Sequence, residues 1–281
     1  MFYVPPRSKI KPKFLEGLYN IENAVVNQKR WHDMKGLPHP VLYLPMWEGS
    51  GNISYDLGSL RKSGLINTQN TFWAVDNYGL AVLFPGAPPG YIQIGGELGL
   101  WPGYPEFTIV SCINPTNSGN TQIMAADSNI TGERAFQFRT SAYKLQLITF
   151  VGGVAKTAAS TASVSGASVV ACVCKNGNNY TYINGKPDGS VVSGGGCDTD
   201  AAAWVIGARN ARTNSISMTE GFYGKIGLSV VYDFAFSDDQ VSIVSNECFG
   251  ALYPISPPVY FFKGAGAPPA TGNPWYYYAQ L

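Results

Sequence analysis

The chain has 281 residues, of which 13% are charged, and a formal net charge of +1. Charged residues are about half as frequent as in an ordinary globular domain, which argues against long solvated helices and suits strands joined by tight turns. A net charge this small supplies no global field to attract nucleic acid or an anionic membrane surface.

In chain order, residues 1–40 read as an N-terminal docking arm. They concentrate Arg7, Lys9, Lys11, Lys13, Lys29, Arg30 and Lys35 against Glu16, Glu22 and Asp33. Pro5, Pro6 and Pro12 interrupt the beginning, the spacing from Phe14 to Val26 predicts a short helix, and Gly36, Pro38 and Pro40 end it. The first residues show no charged-then-apolar signal pattern, and no stretch approaches the roughly 20 apolar residues of a membrane span, so neither secretion nor membrane insertion is expected.

From Val41 the texture becomes strand and turn. Strands are predicted at Val41-Leu-Tyr-Leu, Ala81-Val-Leu-Phe, Tyr91-Ile-Gln-Ile and Phe107-Thr-Ile-Val-Ser-Cys-Ile. Ala135-Phe-Gln-Phe-Arg and Lys144-Leu-Gln-Leu-Ile-Thr-Phe alternate. Ser168-Val-Val-Ala-Cys-Val-Cys is nearly continuous in small apolar residues, as a strand covered on both faces should be. Asn176-Gly and Asn184-Gly supply hairpin turns around Asn179-Tyr-Thr-Tyr-Ile. Ala203-Trp-Val-Ile-Gly and Gly224-Lys-Ile-Gly-Leu-Ser-Val-Val-Tyr are the last strands. Asp238 to Glu247 is a helix, with Ser237 as its N-cap and two aspartates in its first turn.

After Tyr253 six prolines leave little room for regular structure, while Tyr260, Phe261, Phe262, Trp275, Tyr276, Tyr277 and Tyr278 are too many aromatics for a free linker. Residues 253–281 read as a C-terminal docking arm. Cys112, Cys172, Cys174, Cys197 and Cys248 lack zinc-site spacing, and both histidines, His32 and His39, lie far away in the N-terminal segment. Buried free thiols in a reducing compartment are the expectation.

The order of these blocks resembles the laminin-G-like, concanavalin A-like lectin/glucanase jelly-roll domains. The opening Leu44-Pro-Met-Trp-Glu-Gly-Ser-Gly-Asn-Ile-Ser-Tyr-Asp, the block Gly79-Leu-Ala-Val-Leu-Phe-Pro-Gly, Phe107-Thr-Ile-Val, Tyr182-Ile-Asn-Gly-Lys and the closing Trp204-Val-Ile-Gly-Ala-Arg with Phe222-Tyr-Gly-Lys-Ile-Gly carry the likeness. The resemblance implies an all-β, antiparallel jelly-roll β-sandwich over residues 41–252, between the two arms. Copies with short arms look like those in tailed-bacteriophage structural proteins. This implies a non-enzymatic virion component (capsid decoration, head fibre or tail part), assembled in the host cytoplasm as a homo-oligomer and attached to capsid or tail subunits by the arms. The alternative is an adhesin for host glycans.

A divergent glycoside hydrolase is the third reading. Relatives of that kind aim a Glu-x-Asp-x-x-Glu or Glu-x-Asp-x-Glu run into a groove, and no such run exists here, so no catalytic residue is assigned. For glycan binding the candidates are Trp73, Tyr78, Trp101 and Tyr104, aromatics in or near loops. No cofactor is required. Calcium is the candidate metal, with Asp56 at the family's early Asp and Asp127 at the rim. Gly227 stands where relatives often carry a further Asp. No basic residues are interleaved with the aromatics, so no nucleic acid is expected as a partner.

Overall fold

The computed structural model describes residues 21–94, 105–127, 134–193, 197, 204–210 and 218–250. Within them, helix α1 (Ile21–Lys35) precedes the strands β1 (Leu42–Leu44), β2 (Ile53–Ser54), β3 (Gly64–Ile66), β4 (Phe72–Asp76), β5 (Gly79–Pro85) and β6 (Ile92–Ile94). The long strands follow: β7 (Phe107–Pro115), β8 (Thr121–Asp127), β9 (Arg134–Ser141), β10 (Lys144–Val151), β11 (Val154–Ser163), β12 (Ser168–Lys175) and β13 (Asn178–Ile183). Short pieces β14 (Lys186–Pro187), β15 (Val192–Ser193), β16 (Val205–Ile206), β17 (Arg209–Asn210) and β18 (Met218–Thr219) lead to β19 (Tyr223–Tyr232) and helix α2 (Asp238–Asn246).

Two antiparallel sheets form a sandwich. One has nine strands, ordered β14-β13-β12-β7-β19-β5-β4, with β1 on β19 and β15 on β13. The other has eight, ordered β11-β10-β9-β8-β16-β6-β3-β2. The predicted strands fall in these sheets, and the two Asn-Gly hairpins form with Asn176 and Asn184 at φ 49 and 51 and Gly177 and Gly185 at φ 70 and 77, the left-handed pair that such two-residue turns need.

Period-two alternation builds the core. Phe107, Ile109 and Ile113 of β7, with Val170, Cys172 and Cys174 of β12, face Phe136 and Phe138 of β9 and Leu145 and Leu147 of β10. The alternate residues of the nine-stranded sheet do not face solvent. Val110, Cys112, Val169, Ala171, Val173, Leu228, Val230 and Tyr232 form a second apolar layer with both helices. A register shift between Ile226 and Leu228 lets Ile226 join the first layer and Leu228 the second. The central strands β7 and β12 are thus covered on both faces, as the continuous apolar run of β12 predicts.

The N-terminal region differs from the expectation. Of the helix expected at Phe14–Val26, residues 14–20 lie outside the described residues and Ile21–Val26 is helical, but the helix continues to Lys35. Ala24, Val25, Gln28, Trp31 and His32 are buried at helical spacing, so α1 is part of the folded unit and the boundary at residue 41 cuts through it. Lys35 and Trp31 reach Glu247 beyond α2 at 2.7 and 3.3 Å. Gly36, at φ 63, ends the helix, and the Leu37 N–H donates to the His32 carbonyl at 2.9 Å. The basic residues Arg7, Lys9, Lys11 and Lys13 lie outside the described residues, as does the whole C-terminal segment with Tyr260, Phe261, Phe262, Trp275, Tyr276, Tyr277 and Tyr278. Helix α2 is capped as expected: Ser237 accepts from the Gln240 N–H, and the Gln240 side chain accepts from the Ser237 N–H, a capping box.

Candidate functional site

The eight-stranded sheet turns one face to the core and the other away from it. Because Phe136, Phe138, Leu145 and Leu147 point inward, Gln137, Arg139 and Gln146 must point outward. Cross-strand register then aligns them. Gln122 on β8 opposes Arg139 on β9, which opposes Gln146 on β10. Ala125 opposes Gln137, which opposes Ile148, and Asp127 opposes Arg134. Arg209 of β17 and Glu220, just after β18, bring two further charges to the same face.

These side chains form one network. Asp127 accepts from Arg134 Nε at 2.8 Å, makes an ion pair with Arg209 at 2.8 Å, and also accepts from the Gln137 amide. Glu220 accepts from Arg209 Nη1 at 3.1 Å and from Gln122 Nε2 at 2.7 Å. Arg139 donates through Nε to Gln146 at 3.0 Å and through Nη1 to Gln137 at 3.3 Å. The Arg134 guanidinium lies 3.8 Å over the Phe150 ring, a cation–π contact on the same strand pair. Glu220 has φ 50, an uncommon conformation for a residue with a side chain, and it is held there by contacts from Gln122, Arg209 and Gly207–Phe222 pairing beside it.

Burial grades across the network. The Asp127 side chain is 0% exposed, whereas Arg139, Arg134 and Glu220 are 19, 25 and 29% exposed. A buried carboxylate with two guanidinium partners anchors the cluster, and three longer charged groups reach solvent at its margin. Burial in an ion pair costs desolvation unless the remaining hydrogen-bonding positions are filled, and here amides fill most of them.

The residues expected from the sequence are not gathered on this face, with one exception. Asp127 is its anchor, but its oxygens are engaged by two arginines and an amide, so a calcium ion there would meet two like charges. Asp56 is buried elsewhere and clamps a turn: Oδ1 accepts from the Tyr43 and Gly58 N–H groups at 2.8 and 2.7 Å, and Oδ2 from the Lys62 N–H at 2.9 Å. Burial raises its pKa, and the three backbone donors oppose the rise. Among the described residues no three His, Cys, Asp or Glu side chains are grouped as metal ligands. Trp73 and Tyr78 sit on the β4–β5 hairpin of the other sheet and on different sides of it. Trp73 packs on the sandwich core and donates to the Gly51 carbonyl at 2.9 Å, while Tyr78 packs on Phe249 in the helix layer. Trp101 and Tyr104 lie outside the described residues.

Cys112, Cys172, Cys174 and Cys248 are buried free thiols; burial raises the pKa of Cys112, Cys172 and Cys174 and keeps them protonated. A separate cleft of about 550 Å³ opens on the helix side, between the β12–β13 hairpin and the start of α2, with Lys175, Asn178, Tyr180, Asp238 and Asp239 on its walls.

A family model described as the concanavalin A-like lectin/glucanases superfamily matches residues 89–242, more than half of the chain. The chain belongs to this superfamily. No curated protein matches the sequence. Among solved structures, this concanavalin A-like domain is similar to the binding domain of Paraclostridial Mosquitocidal Protein 1, with TM-score 0.59 and 11% identity over 75% of this chain and 52% of that one. It thus spans about half the length of that binding domain. Domain 4 of an extracellular arabinanase from Geobacillus stearothermophilus, solved in complex with arabinotriose, gives TM-score 0.54 and 14% identity over 74% of this chain and 98% of that domain. A Trypanosoma rangeli sialidase solved with sialic acid gives TM-score 0.54 and 13% identity over 76% of this chain and 33% of that one. At these identities the likeness is one of fold.

Sequence reasoning looked for ring-bearing loops and passed over the amides and arginines of β8 to β10. Their signal is present: in Ala135-Phe-Gln-Phe-Arg and Leu145-Gln-Leu the positions between core residues carry Gln and Arg, which alternation turns to the outer face.

Proposed function

We propose that this concanavalin A-like domain is a non-enzymatic carbohydrate-recognition module that binds glycan on the outer face of the eight-stranded sheet. The observation that carries the reading is the network of amides and guanidinium groups on β8, β9, β10 and β17, with Arg134, Arg139 and Glu220 at its solvent margin. Sugar hydroxyls both donate and accept, and a fixed set of Gln, Arg and carboxylate groups matches them without loop ordering on binding. The arabinanase domain solved with arabinotriose supports the use of such a sandwich for an oligosaccharide.

Catalysis is not part of the reading. A retaining glycosidase needs two carboxyl groups about 5 Å apart, one of them free to give a proton. The described carboxylates of this face, Asp127 and Glu220, both serve as acceptors for arginine. A glycan array probed with the full chain should show saturable binding to a restricted set of saccharides, without release of reducing sugar from those it binds. Silence across the array, or sugar release, would overturn the reading.

The composition of the terminal segments favours a second, compatible reading for the whole chain: display on a bacteriophage virion. The basic run Arg7 to Lys13 and the aromatic cluster Tyr260 to Tyr278 suit attachment to other virion subunits more than free solvent. Since α1 belongs to the fold, the informative truncation removes residues 2–20 only. It should leave thermal unfolding unchanged and abolish incorporation into particles; normal incorporation would contradict attachment through this segment.

A further inference from the structure

Resting on the glycan-binding reading, we infer that this face selects an acidic sugar, with the saccharide carboxylate paired to Arg139. The charges of the network are unequal: among the described residues Arg134, Arg139 and Arg209 stand against Asp127 and Glu220. The two carboxylates are not shared evenly. Asp127 pairs with Arg134 and Arg209, each at 2.8 Å, and Glu220 takes Arg209 at 3.1 Å. Arg139 approaches Glu220 only to 3.7 Å, beyond a hydrogen bond, and its own hydrogen bonds go to the neutral amides of Gln146 and Gln137.

Among the described residues, therefore, no carboxylate lies within hydrogen-bonding distance of Arg139, and its Nη2 makes no hydrogen bond to any of them. Burial lowers its pKa; Glu220 opposes this, Arg209 adds to it and Asp127 again opposes, which marks a cation that its surroundings do not fully compensate. Directly opposite on β8 stands Gln122, fully buried. Its Nε2 donates to Glu220 and Gln137, and its Oε1 has no hydrogen-bond partner. Opposed side chains of an antiparallel pair lie about 5 Å apart at Cβ. One face thus places a guanidinium group that is 19% exposed beside a buried acceptor without a hydrogen-bond partner.

The ligand that answers both is a monoanion bearing a nearby hydroxyl. A carboxylate pairs with the solvent-reaching part of the guanidinium, and an adjacent sugar hydroxyl donates to Gln122 Oε1 once that amide, buried in the unliganded protein, turns outward. Uronic acids and other carboxylated sugars have this chemistry. Neutral hexoses lack the anion, and sulfate esters, which also pair with guanidinium, are the competing class that the test must separate.

The test is calorimetric titration of the full chain with uronate and sialylated oligosaccharides, each paired with its methyl ester, plus neutral and sulfated oligosaccharides. The ester removes the charge and leaves the sugar, so no variant need fold for the comparison to be read. At least one acid is expected to bind about 10- to 100-fold more tightly than its ester. Arg139→Gln should bring that acid to the affinity of the ester without shifting thermal unfolding, and Arg139→Lys should fall between. Equal affinities for every acid and its ester, or preference for the sulfated sugar, would overturn the acidic selection while leaving glycan binding intact. Absence of binding by any saccharide would overturn both.

Discussion

Asp56→Ala is expected to destabilise the domain by about 3–5 kcal/mol, since two buried backbone donors and a third, part-buried one would lose their acceptor at once. The Asp56 carboxylate joins the middle of β1 to the turn that follows β2, through the N–H groups of Tyr43, Gly58 and Lys62. The turn has no room to rearrange: a Cβ on Gly58 would lie 2.5 Å from the Val41 carbonyl oxygen, so the chain passes directly over β1. Asp56→Asn keeps one carbonyl oxygen for Tyr43 and Gly58 and replaces the acceptor of Lys62 by an amide donor, so about 1–2 kcal/mol is expected. Urea unfolding with and without calcium checks both. Calcium should leave the wild-type midpoint in place. A calcium-dependent midpoint that Asp56→Ala abolishes would instead make this aspartate a ligand.

Acid should weaken the seat of α1. His32 is fully buried between the helix and the nine-stranded sheet, with Nδ1–H donating to the Gln28 carbonyl at 2.7 Å and Nε2 accepting from the Tyr232 hydroxyl at 3.0 Å. Burial lowers its pKa from 6.5 to about 4; the Gln28 carbonyl and Asp33 oppose the shift, and His39 adds to it. The folded state thus holds the imidazole neutral, while the unfolded chain takes up a proton below its ordinary pKa. The contribution is complete above about pH 6.5 and is lost as pH falls toward 4, amounting to about 2–3 kcal/mol between neutrality and roughly pH 4.5. Denaturant unfolding at the two pH values should show this step in the wild type and its removal in His32→Phe, which packs without titrating. An equal acid loss in both proteins would place the effect in other groups.

Much of the sandwich was legible because burial and local preference agree. In β7, β12 and β19 β-branched and aromatic residues coincide with covered faces, and Ser237 with Gln240 announces α2. β8 and β11 were missed. Their centres, Met124-Ala-Ala and Lys156-Thr-Ala-Ala-Ser-Thr, carry weak strand preference, and they are strands because β9 and β10 pair with them along their length. The helix runs past its expected end at Val26 because Gln28 and His32, polar in any hydropathy scale, are buried, His32 through a partner far along the chain, Tyr232. The candidate site depends on β8 and on pairings such as Asp127 with Arg209 and Arg139 with Glu220, which join residues about 80 positions apart in sequence. Neither composition nor spacing records such meetings. The aromatics that sequence reasoning favoured, Trp73 and Tyr78, are spent on packing in two different layers.

The claim that the eight-stranded sheet is the recognition face is tested most directly by amide NMR on the full chain titrated with a saccharide that it binds. Shifts should concentrate on β8, β9 and β10, around Gln122, Gln137, Arg139 and Gln146, and leave α1, α2 and the β12–β13 hairpin unmoved. Shifts centred instead on the cleft at Lys175, Tyr180 and Asp238 would contradict it.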